Sequence, residues 1–175
     1  MIKLIACDLD GTLLTPDGEL PEGTFSVIGK LYEKGILFCP ASGRQLTALE
    51  QMFGPVRDKV AFIAENGAIV SCRGELLRCV TIPRETVLRA LAEVKKLPDA
   101  HPLLCTPECA YYEEGSQPFL EYVAASYISN AQRSLAETAR TDRICKIAVY
   151  DGKGPENNGM KALPAALPDL RVIQS

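Results

Sequence analysis

The sequence predicts an α/β fold, a parallel sheet with crossover helices, followed by a separate α+β domain. Two patterns carry this expectation. Three short apolar runs, residues 2–7, 36–39 and 60–64, alternate with two segments of helical spacing. Strand, helix, strand, helix, strand implies parallel pairing through right-handed crossovers. After residue 67 the pattern changes to hairpins and mixed elements, which marks the second domain. A boundary near Cys79–Pro83 gives domains of 1–80 and 81–175.

The elements follow in order. Ile2–Cys7 is apolar on successive positions, as a buried parallel strand requires. Gly11–Leu20 holds Gly11, Pro16, Asp17 and Gly18, which is turn chemistry. Pro21 opens a helix to about Lys34, with Phe25, Val27, Ile28 and Leu31 near helical spacing. Gly35 stops it. Ile36–Cys39 is the second strand and Pro40–Arg44 its exit loop. Gln45–Phe53 is a second helix, ended by Gly54-Pro55. Val60–Ala64 is the third strand, and Asn66-Gly67 turns it into a hairpin with Ala68–Ser71. Arg73–Glu75 then turns into Leu76–Ile82.

Pro83 opens a helix with Val87, Leu88, Leu91 and Val94 on one face, ending before Pro98. Leu103–Thr106 and Ala110–Glu113 form a strand pair. One Ala-rich helix is expected from about Phe119 to Arg140, then a strand over Ile144–Tyr150. Asp151–Asn158 is a polar loop. Its Asp151-Gly152-Lys153-Gly154 echoes a phosphate loop but lacks the Walker spacing, and reads as surface. A short helix from Gly159 is interrupted by Pro164 and Pro168, and Leu170–Gln174 is a last strand.

Composition excludes several classes. The chain has 175 residues, 47% of them apolar, with 19 Lys+Arg against 22 Asp+Glu for a net charge of −3. No basic excess points to nucleic acid or an anionic membrane. No apolar run approaches the roughly 20 residues of a membrane span. The N-terminus lacks a signal peptide's apolar stretch and cleavage site, so a cytoplasmic protein is expected. Seven scattered cysteines do not read as a disulfide framework. Cys105 and Cys109 with the sole histidine, His101, lack the four ligands of a zinc site and read as packing or surface residues.

The chemistry concentrates at the end of the first strand. Asp8 and Asp10 fall on one side of the chain there, with Leu9 facing the core. Two carboxylates this close repel unless a cation or proton lies between them, which makes Mg²⁺ their natural partner. Gly11 lets the backbone turn tightly, and Thr12 adds a hydroxyl and an N–H donor. The second strand ends on the same edge with Ser42, Gly43 and Arg44: a hydroxyl, a close approach and a cation for an anion. The third delivers Glu65-Asn66-Gly67-Ala68. Ligands of open α/β sheets bind at this carboxyl edge, so the three loops form a candidate phosphate site. Tyr111, Tyr112, Glu113 and Glu114 lie outside it and read as an edge strand with polar decoration.

The D-x-D-G-T-L-L run at Asp8–Leu14, the A-S-G-R at Ala41–Arg44 and the E-N-G-A at Glu65–Ala68 resemble the haloacid dehalogenase superfamily. Within it the chain is most similar to the Cof-type phosphatases with a type IIB cap. The resemblance is strong over residues 1–70 and looser beyond. It implies a partial Rossmann-like parallel-sheet core (1–80) plus a smaller α+β cap domain (81–175). It implies a phosphoric monoester hydrolase that acts on a small phosphorylated metabolite, such as a sugar phosphate, through an aspartyl-phosphate. Asp8 would be the nucleophile and Asp10 the general acid and base, with both ligating Mg²⁺. Gly11, Thr12, Ser42, Gly43, Arg44 and Asn66 would contact phosphate or substrate. Ser42 stands where many relatives have Thr.

The superfamily chemistry also implies a lysine and a G-D-x-x-N-D motif after the cap. No such motif follows residue 70, and Lys146, Lys153 and Lys161 fall in the cap region. The chain therefore reads as truncated after the cap. The first strand is then expected at an open apolar edge, covered by a partner or a second copy of the chain. The alternative function is a non-catalytic module of the same family that binds a phosphorylated ligand or a partner chain. A receiver domain is disfavoured, because receivers carry their acceptor on a later strand.

Overall fold

The computed structural model describes residues 1–174, which divide into two compact units, Met1–Val80 and the chain from Thr81 on. The first unit holds a five-stranded sheet in the order β1-β2-β3-β4-β5. Its strands are β1 (Leu4–Asp8), β2 (Leu37–Ala41), β3 (Ala61–Ala64), β4 (Ile69–Cys72) and β5 (Glu75–Cys79). β1, β2 and β3 run parallel, and β4 and β5 return antiparallel. The crossovers carry α1 (Thr24–Glu33) and α2 (Leu46–Met52). Leu9, Ile28, Leu49, Phe53 and Phe62 are essentially fully buried and form the core. Phe53 links Phe38 and Phe62, with ring centroids 6.3 and 6.1 Å away.

Local chemistry explains the boundaries. α1 begins at Thr24, three residues after Pro21, because Gly23 takes a left-handed φ of 81°. Gly35 ends it at φ 69°, its N–H donating to the Tyr32 carbonyl while that of Ile36 donates to Leu31. Gly54-Pro55 does not simply end α2. Pro55 opens a 3₁₀ turn over Gly54–Lys59 that buries Val56. β1 pairs only with β2 among the described strands, and Ile2 and Leu4 are 66% and 51% exposed at its start.

The second unit holds a four-stranded sheet in the order β8-β7-β6-β9. Its strands are β6 (Ala100–Cys105), β7 (Ala110–Tyr112), β8 (Asn130–Gln132) and β9 (Lys146–Asp151). The helices are α3 (Arg84–Val94), α4 (Gln117–Ser126), α5 (Leu135–Thr141) and α6 (Gly159–Ala166). Leu104 and Ile147, neighbours across β6 and β9, pack with Val87, Leu91, Leu135 and Ala139 on one face. His101 and Tyr150 point to the other, where α4 covers them. Phe119 stacks on His101 at 4.7 Å and meets Tyr150 at 5.8 Å.

Three expectations are corrected in this unit. The single helix over 119–140 is two helices with β8 between them. Tyr127 leaves helical geometry, its carbonyl accepts from Asn130 Nδ2 at 2.7 Å, and Ser134 starts α5 by accepting from the Glu137 N–H. Pro164 does not interrupt α6, which runs on to Ala166 with Leu163 and Leu167 buried beside it. No strand forms over 170–174. That segment is irregular, and Leu170 and Val172 pack against the cluster of Ala90, Val94, Leu163 and Leu167. No helix among the described residues is long and apolar enough to cross a membrane.

The Asp151–Gly154 loop has a structural task. The Asp151 carboxylate accepts from the Lys153 and Gly159 N–H groups and from Asn158 Nδ2, at 3.2, 2.8 and 3.0 Å. The N-terminus of α6 is thus already met by an anion supplied from within the chain.

The C-terminal segment is tied to α3 by an ion pair between Arg89 and Asp169. The Arg89 hydrogen bond holds the Asp169 carboxyl below its ordinary value of 3.8. A carboxyl depressed on folding stabilises the fold above its unfolded value and loses that contribution as pH falls through the folded one. Arg89→Ala should therefore unfold earlier than wild type at pH 7. The gap in melting temperature should close as pH is lowered below 3.8, when followed by circular dichroism.

Candidate active site

β1 ends at Asp8, and the next five residues, Leu9–Leu13, form a wide irregular turn closed by a Leu14 N–H to Leu9 carbonyl bond of 2.9 Å. Gly11 sits inside it at φ 74°, a conformation that costs an L side chain and is free to glycine. Leu9 is fully buried and anchors the turn, leaving Asp8 and Asp10 exposed on its outer side. Thr12 Oγ1 donates to Asp8 Oδ2 at 3.5 Å. A cavity of about 350 Å³ opens beside Asp10 and Gly11, lined also by Leu14, Thr15, Pro16 and Gly18.

Parallel register brings the second loop alongside. Asp8 pairs with Ala41, and Ala41 with Ile63, so Ser42 follows directly beside the β1 terminus. The Ser42 N–H donates to the Ile63 carbonyl at 2.9 Å, and its Oγ accepts from the Arg44 N–H at 3.2 Å. The third loop is bonded to the second at two points. The Glu65 N–H donates to the Arg44 carbonyl at 3.0 Å and that of Asn66 to the Ser42 carbonyl at 3.2 Å.

These bonds require an unusual backbone. Glu65, Asn66 and Gly67 are all left-handed, at φ 50°, 57° and 92°. The two non-glycine residues cost on the order of 1–3 kcal/mol each, a strain the surrounding structure must hold in place. Asn66 was expected to contact phosphate or substrate. Its side chain lies over Gly43, where an added Cβ would stand 3.0 Å from Nδ2. Gly43 is thus needed for the close approach of Asn66.

Arg44, expected to hold an anion, has turned to Asp10. Nη2 donates to Oδ1 at 2.6 Å and Nε to Oδ2 at 3.4 Å, an ion pair with side chains 38% and 63% exposed. The structure thus gathers Asp8, Asp10, Gly11, Thr12, Ser42, Gly43, Arg44 and Asn66 on one sheet edge. Sequence reasoning missed the brace made by Glu65, which is 2% exposed. It also missed the Arg44–Asp10 pair, for which spacing offers no signal.

Asp8 and Asp10 present oxygen donors at an exposed strand end, the chemistry Mg²⁺ takes from one or two carboxylates while keeping waters and substrate oxygens. The pair fits such an ion. Among the described residues no cluster of three or more metal-ligating side chains forms a closed cage.

The residues read as a decorated edge strand make contacts within the second unit. Tyr111 lies under Arg133 at 5.3 Å, Tyr112 meets Phe119 at 5.8 Å, and Glu113 accepts from the Leu135 N–H at 2.9 Å. Glu113 and Glu114 line an open groove of about 580 Å³ with Gln132, Arg133 and Ser134.

Residues 5–175 match the family described as haloacid dehalogenase-like hydrolases. The HMP-PP phosphatase of Shigella flexneri serotype 5b (strain 8401) is 37% identical over 86 residues, 49% of this chain and 32% of that protein. The HMP-PP phosphatase of Escherichia coli O157:H7 matches to the same extent. These matches span about a third of the curated relatives' length. Among solved structures, TM0651 from Thermotoga maritima superposes with a TM-score of 0.80 at 24% identity, over all of this chain and 66% of that one. The subclass IIB sugar phosphatase BT4131 gives 0.77 at 18% identity, over 99% of this chain and 66% of that one. Both likenesses speak to the fold.

Substitution at two glycines tests the close packing of the loops. Gly43→Ala should lower stability by about 1–3 kcal/mol through overpacking against Asn66. Gly29→Ala, in α1 with open space around it, should raise it by about 0.5–1 kcal/mol. Urea unfolding of both variants measures the contrast.

Proposed function

The chain belongs to the haloacid dehalogenase-like hydrolases, and from that premise we propose that it acts as a Mg²⁺-dependent phosphatase of a small phosphorylated metabolite, a sugar phosphate or similar. The observation that supports this reading most is the placing of Asp8 and Asp10 on the outer side of one turn, beside the Ser42 loop.

An Asp8 carboxylate oxygen attacks phosphorus. The bond from phosphorus to the leaving oxygen breaks, and a proton from Asp10 goes to that oxygen. Water then attacks the aspartyl-phosphate. Asp10 takes the water's proton, the bond from phosphorus to Asp8 breaks, and inorganic phosphate leaves with the Asp8 carboxylate restored. The Thr12 N–H and the hydroxyls of Thr12 and Ser42 would bond the phosphoryl oxygens, which is the larger electrostatic contribution. Bound at the Asp8 carboxylate and the Asp10 backbone carbonyl, Mg²⁺ would neutralise charge on the phosphoryl group.

The unit from Thr81 on is read as the cap, following the core of residues 1–80. The same reading takes the protein as cytoplasmic, without nucleic-acid or membrane partners, and expects a second copy of the chain over the exposed edge of β1.

Phosphate release from a panel of sugar phosphates, with and without Mg²⁺, tests the proposal. Asp8→Asn should abolish release, and Asp10→Asn should slow it by about 10²–10⁴-fold. Release that survives Asp8→Asn contradicts the assignment of the nucleophile.

A further inference from the structure

We propose that Arg44 is a positioning residue for Asp10: its guanidinium fixes the direction in which the carboxyl group meets the leaving oxygen and the attacking water. This rests on the phosphatase reading above and deepens it. The fork Nη2–Oδ1 and Nε–Oδ2, at 2.6 and 3.4 Å, joins residues 34 apart in the sequence. Two donors on one planar cation fix the orientation of a carboxylate, which a single ammonium does not.

Arg44 is itself held. Its N–H is taken by Ser42 Oγ at 3.2 Å and its carbonyl by the Glu65 N–H at 3.0 Å. The left-handed run Glu65–Gly67 brings that N–H into place, and Asn66 wedges against Gly43 between them. A half-exposed ion pair adds little to stability. Two strained residues and a buried glutamate backing it make sense as the support of a geometry rather than of the fold.

Arg44 therefore acts through Asp10 and not as a ligand of the phosphoryl group, the role expected from the sequence.

The test combines Arg44→Ala and Arg44→Lys with Asp10→Asn and the Arg44→Ala/Asp10→Asn double variant, with folding checked by circular dichroism. Three readouts are taken: kcat and KM on p-nitrophenyl phosphate with Mg²⁺, inorganic phosphate binding by calorimetry, and the Arg44 Nε–Hε resonance by NMR. Arg44→Ala should lower kcat by about 10–100-fold, with KM and phosphate affinity held within about twofold. Arg44→Lys should restore little, and the double variant should be no slower than Asp10→Asn alone, because groups that act as one unit are not additive. Loss of phosphate affinity in Arg44→Ala, or additive losses in the double variant, would overturn the proposal.

The resonance reads the pair without turnover. It should be protected from exchange in wild type and lose that protection in Asp10→Asn. A wild-type chain that shows this protection but no turnover contradicts the phosphatase reading and leaves the pairing intact. A resonance indifferent to Asp10→Asn contradicts the pairing itself.

Discussion

Parallel pairing of β1 with β2, and of β2 with β3, is the constraint on which the site depends. A parallel sheet collects the carboxyl ends of its strands on one edge, whatever the distance along the chain. The register Asp8–Ala41 and Ala41–Ile63 then sets three loops side by side. Had either crossover been replaced by a hairpin, one loop would lie at the opposite edge. The buried side chains of the first unit, Leu9 beneath the turn and Phe53 between Phe38 and Phe62, hold this register.

On that edge the loops divide their work. The Asp8–Leu13 turn exposes carboxylates, and its single glycine at positive φ lets the chain double back behind them. The Ser42–Arg44 loop supplies a hydroxyl and a cation. The Glu65–Gly67 turn lays the Asn66 side chain over Gly43. It donates backbone N–H groups to the carbonyls of Ser42 and Arg44 and bears the conformational strain. Rigidity in one loop thus becomes orientation in the next, and the Arg44–Asp10 pair carries that orientation back to the first.

The sequence made the strands and the three loops of the first unit legible, because a buried parallel strand and a D-x-D-G-T run both leave strong local patterns. The second unit was harder for identifiable reasons. β8 is three residues of Asn, Ala and Gln, too short and polar to interrupt an Ala-rich helical pattern. The start signal for α5, Ser134 three residues before Glu137, was nevertheless present. Leu170 and Val172 alternate as a strand would, yet the same spacing serves an irregular segment packed on α3 and α6. In the site, no spacing announces the bond between Arg44 and Asp10 or the left-handed φ of Glu65, a conformation rare for that residue type, whereas Asn66-Gly67 did signal positive φ.

The account stands on Asp8 as the group that becomes phosphorylated, and the most direct measurement is to find the phosphate there. The protein is incubated with a sugar phosphate and Mg²⁺, quenched in acid, reduced with borohydride to convert an acyl phosphate to the alcohol, and its peptides are sequenced by mass spectrometry. The account predicts reduction at Asp8, absent without substrate. Reduction at another carboxylate, or turnover with none at Asp8, would contradict it.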